Sequence, residues 1–267
     1  MRRFDNISIM KTMKSLGLSI DYPDKYNPGL LEAMERRSND IQCYGWDVWN
    51  AYEVSWLNNQ DIPENRMISF SLKNTTPFIP ESKSVKLYLN SLNMQKFESE
   101  LDVVNVIKHD IETCLKTKLF NFEIINDGIG VLEYPHSYFD IFSAKPIEIE
   151  SLLTHSNEWH HNHASYVTHR FRSCCPVTGQ PDWATLFIEL QGTYTIGAMY
   201  SILKQYRNHS GFHESCIQDI FESLWNSFDL DKLTIIGRFL RRGGIDINPI
   251  RSTEASIEAF NIRTRFQ

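Results

Sequence analysis

The stretch Trp49-Asn50-Ala51-Tyr52-Glu53-Val54-Ser55-Trp56-Leu57 decides the fold class. Its aromatic and β-branched residues suit a pleated surface and predict a strand over 49–57. MISFSLK (67–73) has the same character and predicts its hairpin partner. The period then changes. SVKLYLNSL (84–92) puts Val85, Tyr88, Leu89 and Leu92 on one face of a helix. Val104, Ile107, Ile111 and Leu115, spaced by three and four, mark a second helix. FEII (122–125) closes the unit as a strand, ending at the turn signal Asp127-Gly128.

The same order returns later in the chain. WATLFIEL (183–190) predicts a strand and GAMYSILKQY (197–206) a helix. Ile217, Ile220, Phe221 and Leu224 mark the next helix, and LTIIGRFL (233–240) a strand running into RRGG. Phe97-Glu98-Ser99 and Phe212-His213-Glu214-Ser215 each precede the second helix of their half. This weak internal repeat predicts an α+β fold of two tandem ββαα-type modules, with antiparallel sheets and helices on one face. The N-terminal module covers residues 1–135 and the C-terminal module 171–267. The polar, His-rich segment 136–170 is read as the connection between them.

With 267 residues, 42% of them apolar, the chain can bury a sizeable core. A net charge of −6 gives no broad basic field, which argues against a nucleic-acid-binding protein. The start MRRFDNISIMKTMKSLGLSIDY lacks the apolar run of a secretion signal, and no segment has the length of a membrane span. A cytoplasmic protein is expected. Five cysteines, an odd number, argue against a disulfide framework in such a protein, and the absence of a CxxC pair argues against structural zinc.

Ser173-Cys174-Cys175-Pro176-Val177-Thr178-Gly179-Gln180-Pro181-Asp182-Trp183 carries the most chemistry. Its prolines and glycine fix a loop before a strand. A cysteine there can be held exposed, and Asp182 can return to the same pocket, the pairing that covalent catalysis uses. The residue types alone equally allow a tight turn with two buried cysteines. Pro80-Glu81-Ser82-Lys83-Ser84 reads as a helix start whose N–H groups and Lys83 can hold an anion, or as an ordinary cap. Arg207-Asn208-His209-Ser210-Gly211-Phe212-His213-Glu214 is a further polar cluster. RFLRRGG (238–244) offers arginines around a glycine turn, fit for phosphate or for a solvated hairpin end.

Taken together, CPVTGQPDW, PESKSVKLYLNSLN, NHSGFHE and RRGGIDINP resemble the 7-cyano-7-deazaguanine reductase family, and GWDVWNAYEVSWLN is similar to its long, two-module branch. The similarity spans about residues 45 to 250. The resemblance implies the tunnelling fold and a place in queuosine biosynthesis, a tRNA modification pathway. It implies NADPH-dependent reduction of the nitrile of 7-cyano-7-deazaguanine to a primary amine, by a homodimer. By motif position it makes Cys175 the nucleophile and Asp182 the proton donor. It assigns substrate binding to Pro80, Glu81, Ser82, His213 and Glu214. It assigns NADPH contacts to Ser82, Lys83, Arg242 and Gly243, and no metal.

The chemistry agrees with these residue types. A nitrile accepts hydride poorly until a thiolate has converted it to a thioimide. A glutamate can accept from both the ring N–H and the exocyclic amine of a guanine-like edge. Lysine and arginine suit phosphates. Two rival readings remain at this level. A zinc cyclohydrolase of the same fold would draw on His160, His161, His163 and His169, although their spacing fits no strong zinc pattern and a solvent-facing connection is the other reading. A non-catalytic RNA-binding module is opposed by the acidic balance.

Overall fold

In the computed structural model of the protein, residues 23, 25–125, 145–155, 157–264 and 266–267 are described. The N-terminal stretch 1–22, the turn signal Asp127-Gly128 and residues 136–144 of the expected connection lie outside them. β1 (Ala33–Glu35) pairs with β4 (Phe78–Pro80) in a small separate sheet. β2 (Tyr44–Leu57) and β3 (Pro63–Lys73) form the expected hairpin, burying Trp49, Phe70 and Leu72. α1 (Ser82–Asn90) buries Val85, Tyr88 and Leu89, and Leu92 follows just beyond it. α2 (Glu100–Leu115) begins after Ser99, whose hydroxyl accepts from the Asp102 N–H as a cap. Its buried stripe is Val103, Ile107, Ile111 and Leu115, while Val104 is only half-buried. β5 (Phe120–Ile125) closes this half against β3.

The second half contains one strand more than its apolar pattern announces. β7 (Trp159–Cys174) pairs with β8 (Pro181–Thr195) along most of its length. α3 (Ile196–Gln205), α4 (His213–Ser227) and β9 (Asp229–Phe239) follow, so two strands, two helices and a strand occur in both halves. Residues 159–170 are therefore strand and not connection. Their outer part carries polar side chains toward solvent, so period-two hydrophobicity is missing while the backbone ladder is complete. The histidines take separate partners there. His161 meets Thr193 at 2.9 Å, His163 meets Glu189 at 2.8 Å, His169 meets Thr185 at 3.0 Å, and His160 stacks on Tyr194.

β6 (Ile147–Glu148) lies parallel beside β7, and β10 (Ile245–Ser252) lies between β9 and β2. One eight-stranded sheet results, in the order β5-β3-β2-β10-β9-β8-β7-β6, antiparallel except at β6–β7. The helices cover one face in two clusters, one around Trp49, Tyr88 and Ile107, the other around Leu186, Ile217 and Phe221. On the opposite face Val48, Phe187, Ile236 and Ile250 pack under Ile257, Phe260 and Ile262 of the C-terminal segment. None of the described helices is long and apolar enough to cross a membrane.

β10 is the seam between the halves, paired with β2 from Ile245↔Ala51 to Ser252↔Tyr44. At Gly45 the strands approach so closely that an added Cβ would sit 1.9 Å from the Ile250 carbonyl oxygen. Backbone cannot yield as a flexible side chain can. Gly45→Ala is expected to destabilise the protein by about 1–3 kcal/mol, the usual cost of overpacking. Urea unfolding checks this, and an unchanged midpoint and slope would show that the seam tolerates the methyl group.

Candidate active site

Where the seam joins the halves, a cavity of about 460 Å³ opens on the helix-covered side. Its wall from the first half is the start of α1 with Pro80, Glu81, Ser82, Lys83 and Lys86, plus Met34 of β1. Its wall from the second half is the 175–178 turn, Asp182 at the start of β8, and Gly211 to Glu214 at the start of α4. Arg242, Gly243, Ile245 and Ile247 complete it. Every residue that the family resemblance assigned to catalysis, substrate or cofactor lines this one cavity, whereas Arg238 and Arg241 of the RFLRRGG stretch do not. Lys86 was not nominated. Its position three residues after Lys83 on a helix was the available signal, since that spacing places both on one face.

The end of β7 separates the two adjacent cysteines. Cys174 closes the strand, buried, with its N–H donating to the His209 carbonyl at 2.8 Å. Its sulfur lies 3.4 Å from an Arg172 guanidinium nitrogen and does not line the cavity. Cys175 begins the turn: its N–H donates to Gln180 O at 2.8 Å, and the Gly179 N–H donates back to Cys175 O at 3.0 Å. Gly179 has a positive φ of 68°, a conformation that glycine adopts without steric cost. The turn presents Cys175 to the cavity, half-buried.

Asp182 is 4% exposed and held from two sides. One oxygen accepts from the Arg242 guanidinium, and the other lies 3.5 Å from His213 Nε2. Burial by itself would raise this carboxyl. The His213 hydrogen bond and charge, joined by Arg242, outweigh it and hold the group below the usual carboxylate range. His213, the first residue of α4, stacks on Phe239 with ring centroids 3.9 Å apart and nearly parallel planes. Arg242 also reaches Gln180, and Cys175 is among the groups that favour its charged form. Arg242 sits in a tight hairpin turn. Gly243 and Gly244 both have positive φ, 58° and 78°, and the Arg242 and Ile245 backbones are mutually hydrogen-bonded.

The two glutamates differ. Glu81 caps α1: its carboxylate accepts from the Lys83 N–H at 3.0 Å and the Ser84 N–H at 2.6 Å. The N–H groups that the sequence left open for an outside anion are thus already taken by the chain's own carboxylate. Glu214 is 3% exposed, and its Oε1 has no hydrogen-bond partner. Burial first, and the charge of Asp47 second, push its carboxyl up to about 7 against the pull of His213 and Arg36. A buried acceptor without a donor carries an uncompensated desolvation cost, and this one lies on the cavity wall.

Two family profiles match the chain. "Nitrile reductase, 7-cyano-7-deazaguanine-reductase N-term" covers residues 22–121, and "QueF-like protein" covers residues 181–257. The chain is 34% identical, over 90% of its length and 93% of the relative's, to the NADPH-dependent 7-cyano-7-deazaguanine reductase of Acinetobacter baylyi. Relatives of the same name in Acinetobacter baumannii and Psychrobacter arcticus are 32% and 33% identical, over 90% and 89% of the chain and 93% and 92% of those proteins. Identity at that level across nearly the whole length of both proteins leaves one conclusion: the chain belongs to the NADPH-dependent 7-cyano-7-deazaguanine reductase family.

Proposed function

We propose that this protein is a cytoplasmic enzyme of queuosine biosynthesis that reduces the nitrile of 7-cyano-7-deazaguanine to the aminomethyl group through a covalent thioimide on Cys175. The observation that carries the reading is convergence. Cys175, Asp182, His213 and Glu214 from one half, and Ser82, Lys83 and Lys86 from the other, meet on one cavity. Each half is read as a tunnelling-fold module. The first covers residues 1–135, and the second begins with β7, because β7 supplies the strand that matches the first module's order. A homodimer fits the outer edge of the sheet, where Trp159 is 64% and Ile147 46% exposed.

The ionised Glu214 carboxylate accepts from the ring N–H and exocyclic amine of the deazaguanine, placing the nitrile toward Cys175. The Cys175 thiolate attacks the nitrile carbon, forming a C–S bond, while the nitrile nitrogen takes a proton held between Asp182 and His213. Asp182 is ionised in the free site, so it acts through that shared proton and not as an isolated acid. NADPH, which Lys83, Lys86 and Arg242 would hold, would supply the two hydrides that the thioimide carbon and the imine left after C–S cleavage require. Overall, two hydrides and two protons turn C≡N into CH₂NH₂. The donor set fits this cofactor. Lys83, Lys86 and Arg242 offer cations to its phosphates, and Gly243 lets the chain pass close to the Lys86 stem, where an added Cβ would lie 2.9 Å from Cδ.

Intact mass after mixing with 7-cyano-7-deazaguanine alone tests the covalent step. The protein is expected to gain the mass of one ligand. Cys175→Ala is expected to lose both adduct and turnover, while Cys174→Ala keeps most of both, because its sulfur lies outside the cavity. If Cys174→Ala is the inactive variant, the nucleophile assignment is wrong.

Asp182→Asn removes the partner of the shared proton but preserves shape. Stopped-flow rates of adduct formation are expected to drop by about 10²–10⁴-fold, the usual contribution of a positioned acid, with the variant still folded. Unchanged rates of adduct formation and NADPH oxidation would exclude Asp182 from the mechanism.

A further inference from the structure

Outside the cavity lining, and bonded to the backbone of Glu214, lies a buried group of charges that the reaction itself does not use. Arg251 of β10 is 1% exposed and Asp47 of β2 is fully buried. Arg251 Nη1 donates to Asp47 Oδ1 at 2.9 Å, its Nε donates to Gln218 Oε1 at 2.8 Å, and its Nη2 donates to the Glu214 carbonyl at 3.3 Å. The second Asp47 oxygen lies 2.7 Å from Arg36 Nη2. One guanidinium thus joins the backbone of Glu214, at the start of α4, to a carboxylate contributed by the other half of the chain.

Burying charged groups costs several kcal/mol per ion before their mutual attraction is counted. A helix start needs no such arrangement to be held in place. The arrangement does create an electrostatic environment. Two guanidiniums flank Asp47, and the Asp47 charge acts on Glu214 through a medium with little water to screen it. The groups facing Glu214 are Asp47 from β2, Arg36 from the segment after β1, Arg251 from β10 and His213 from α4 itself. Across the cavity are Glu81 and Lys83 of α1, Asp182 of β8 and Arg242.

We propose that Asp47, clamped between Arg36 and Arg251, is a positioning residue that sets the proton affinity of Glu214 and thereby makes ligand capture depend on pH. This rests on the reading of Glu214 as the acceptor for the substrate's N–H edge. To accept two N–H bonds, Glu214 must be ionised. Burial and Asp47 raise it to about 7 in the free protein. The ligand must therefore expel a proton when it binds at lower pH, and affinity falls as pH drops below that value, by up to about tenfold per unit for one proton. Removing the negative charge of Asp47 lowers the proton affinity of Glu214 and moves this acid limb to lower pH. Removing the positive charge of Arg36 raises the affinity and moves the limb to higher pH. A purely structural role would weaken binding in both variants without opposite shifts.

The test measures the dissociation constant of 7-cyano-7-deazaguanine by calorimetry from about pH 5.5 to about pH 8.5. The full-length protein carries Cys175→Ala, so that no adduct forms. Removing one nearby buried charge moves such a limb along the pH axis by about one pH unit. Near pH 6, Asp47→Asn is therefore expected to bind about fivefold more tightly, relative to its own plateau, than the parent does. Arg36→Gln is expected to move oppositely. Should Asp47→Asn fail to fold, the upward shift in Arg36→Gln still decides. A parent without an acid limb, or a limb that stays in place in both variants, overturns the proposal. Glu214→Gln separates the two layers: if it binds as tightly as the parent and keeps the limb, the assignment of Glu214 as the acceptor fails. If it loses the limb while the Asp47 and Arg36 variants retain it unmoved, only the present inference fails.

Discussion

The pairing of β10 with β2 is the constraint on which the rest of the molecule depends. β10 follows β9 in the chain but lies between β9 and a strand some two hundred residues earlier in the sequence. This makes one continuous sheet of both halves and fixes the start of α1 opposite the start of α4. The cavity exists only at that junction. Gly45 shows how tight the seam is, since no side chain fits between its backbone and Ile250. The long-range pairing also carries charge across the seam, because Arg251 of β10 meets Asp47 of β2 and Glu214 of α4 in one buried group.

The cavity is organised by opposed electrostatic environments for two carboxylates. Asp182 is surrounded by His213 and Arg242 and stays ionised. Glu214 is deeply buried, lacks a donor on Oε1 and feels the charge of Asp47, so it holds a proton more strongly. Burial acts in the same direction on both: the neighbouring charges outweigh it at Asp182, while at Glu214 it prevails with the help of Asp47. A third carboxylate, Glu81, spends its acceptor capacity on the helix it caps. Residue type alone would have treated the three as equivalent.

Particular elements show how far local pattern reaches. The β2–β3 hairpin, α1, α2, α3, α4, β8 and β9 are legible because one face of each is apolar with the period of its own geometry. β7 is not legible at its outer end, where His161, Asn162 and His163 are exposed and only the backbone ladder defines the strand. A cap at Glu81 is one of the two readings open at Pro80–Ser84, and only the structure chooses between it and an anion site. Lys86 could have been found from its spacing to Lys83. Arg36, Asp47 and Arg251 could not, because nothing in their local sequence marks three charges as buried and mutually paired.

The sequence by itself determined which side chains are chemically able to act, and it determined the family, because short motifs around Cys175, Glu81, Glu214 and Arg242 survive as recognisable strings. It also set the fold class, since hydrophobic period is a local property. Only the tertiary structure decided that those four strings share one cavity, and that Cys175 and not Cys174 faces it. The ionisation of Asp182 and Glu214 was decided there too. The reason is physical: burial and Coulomb interaction depend on distance in space, and the charges that set them come from strands far apart along the chain.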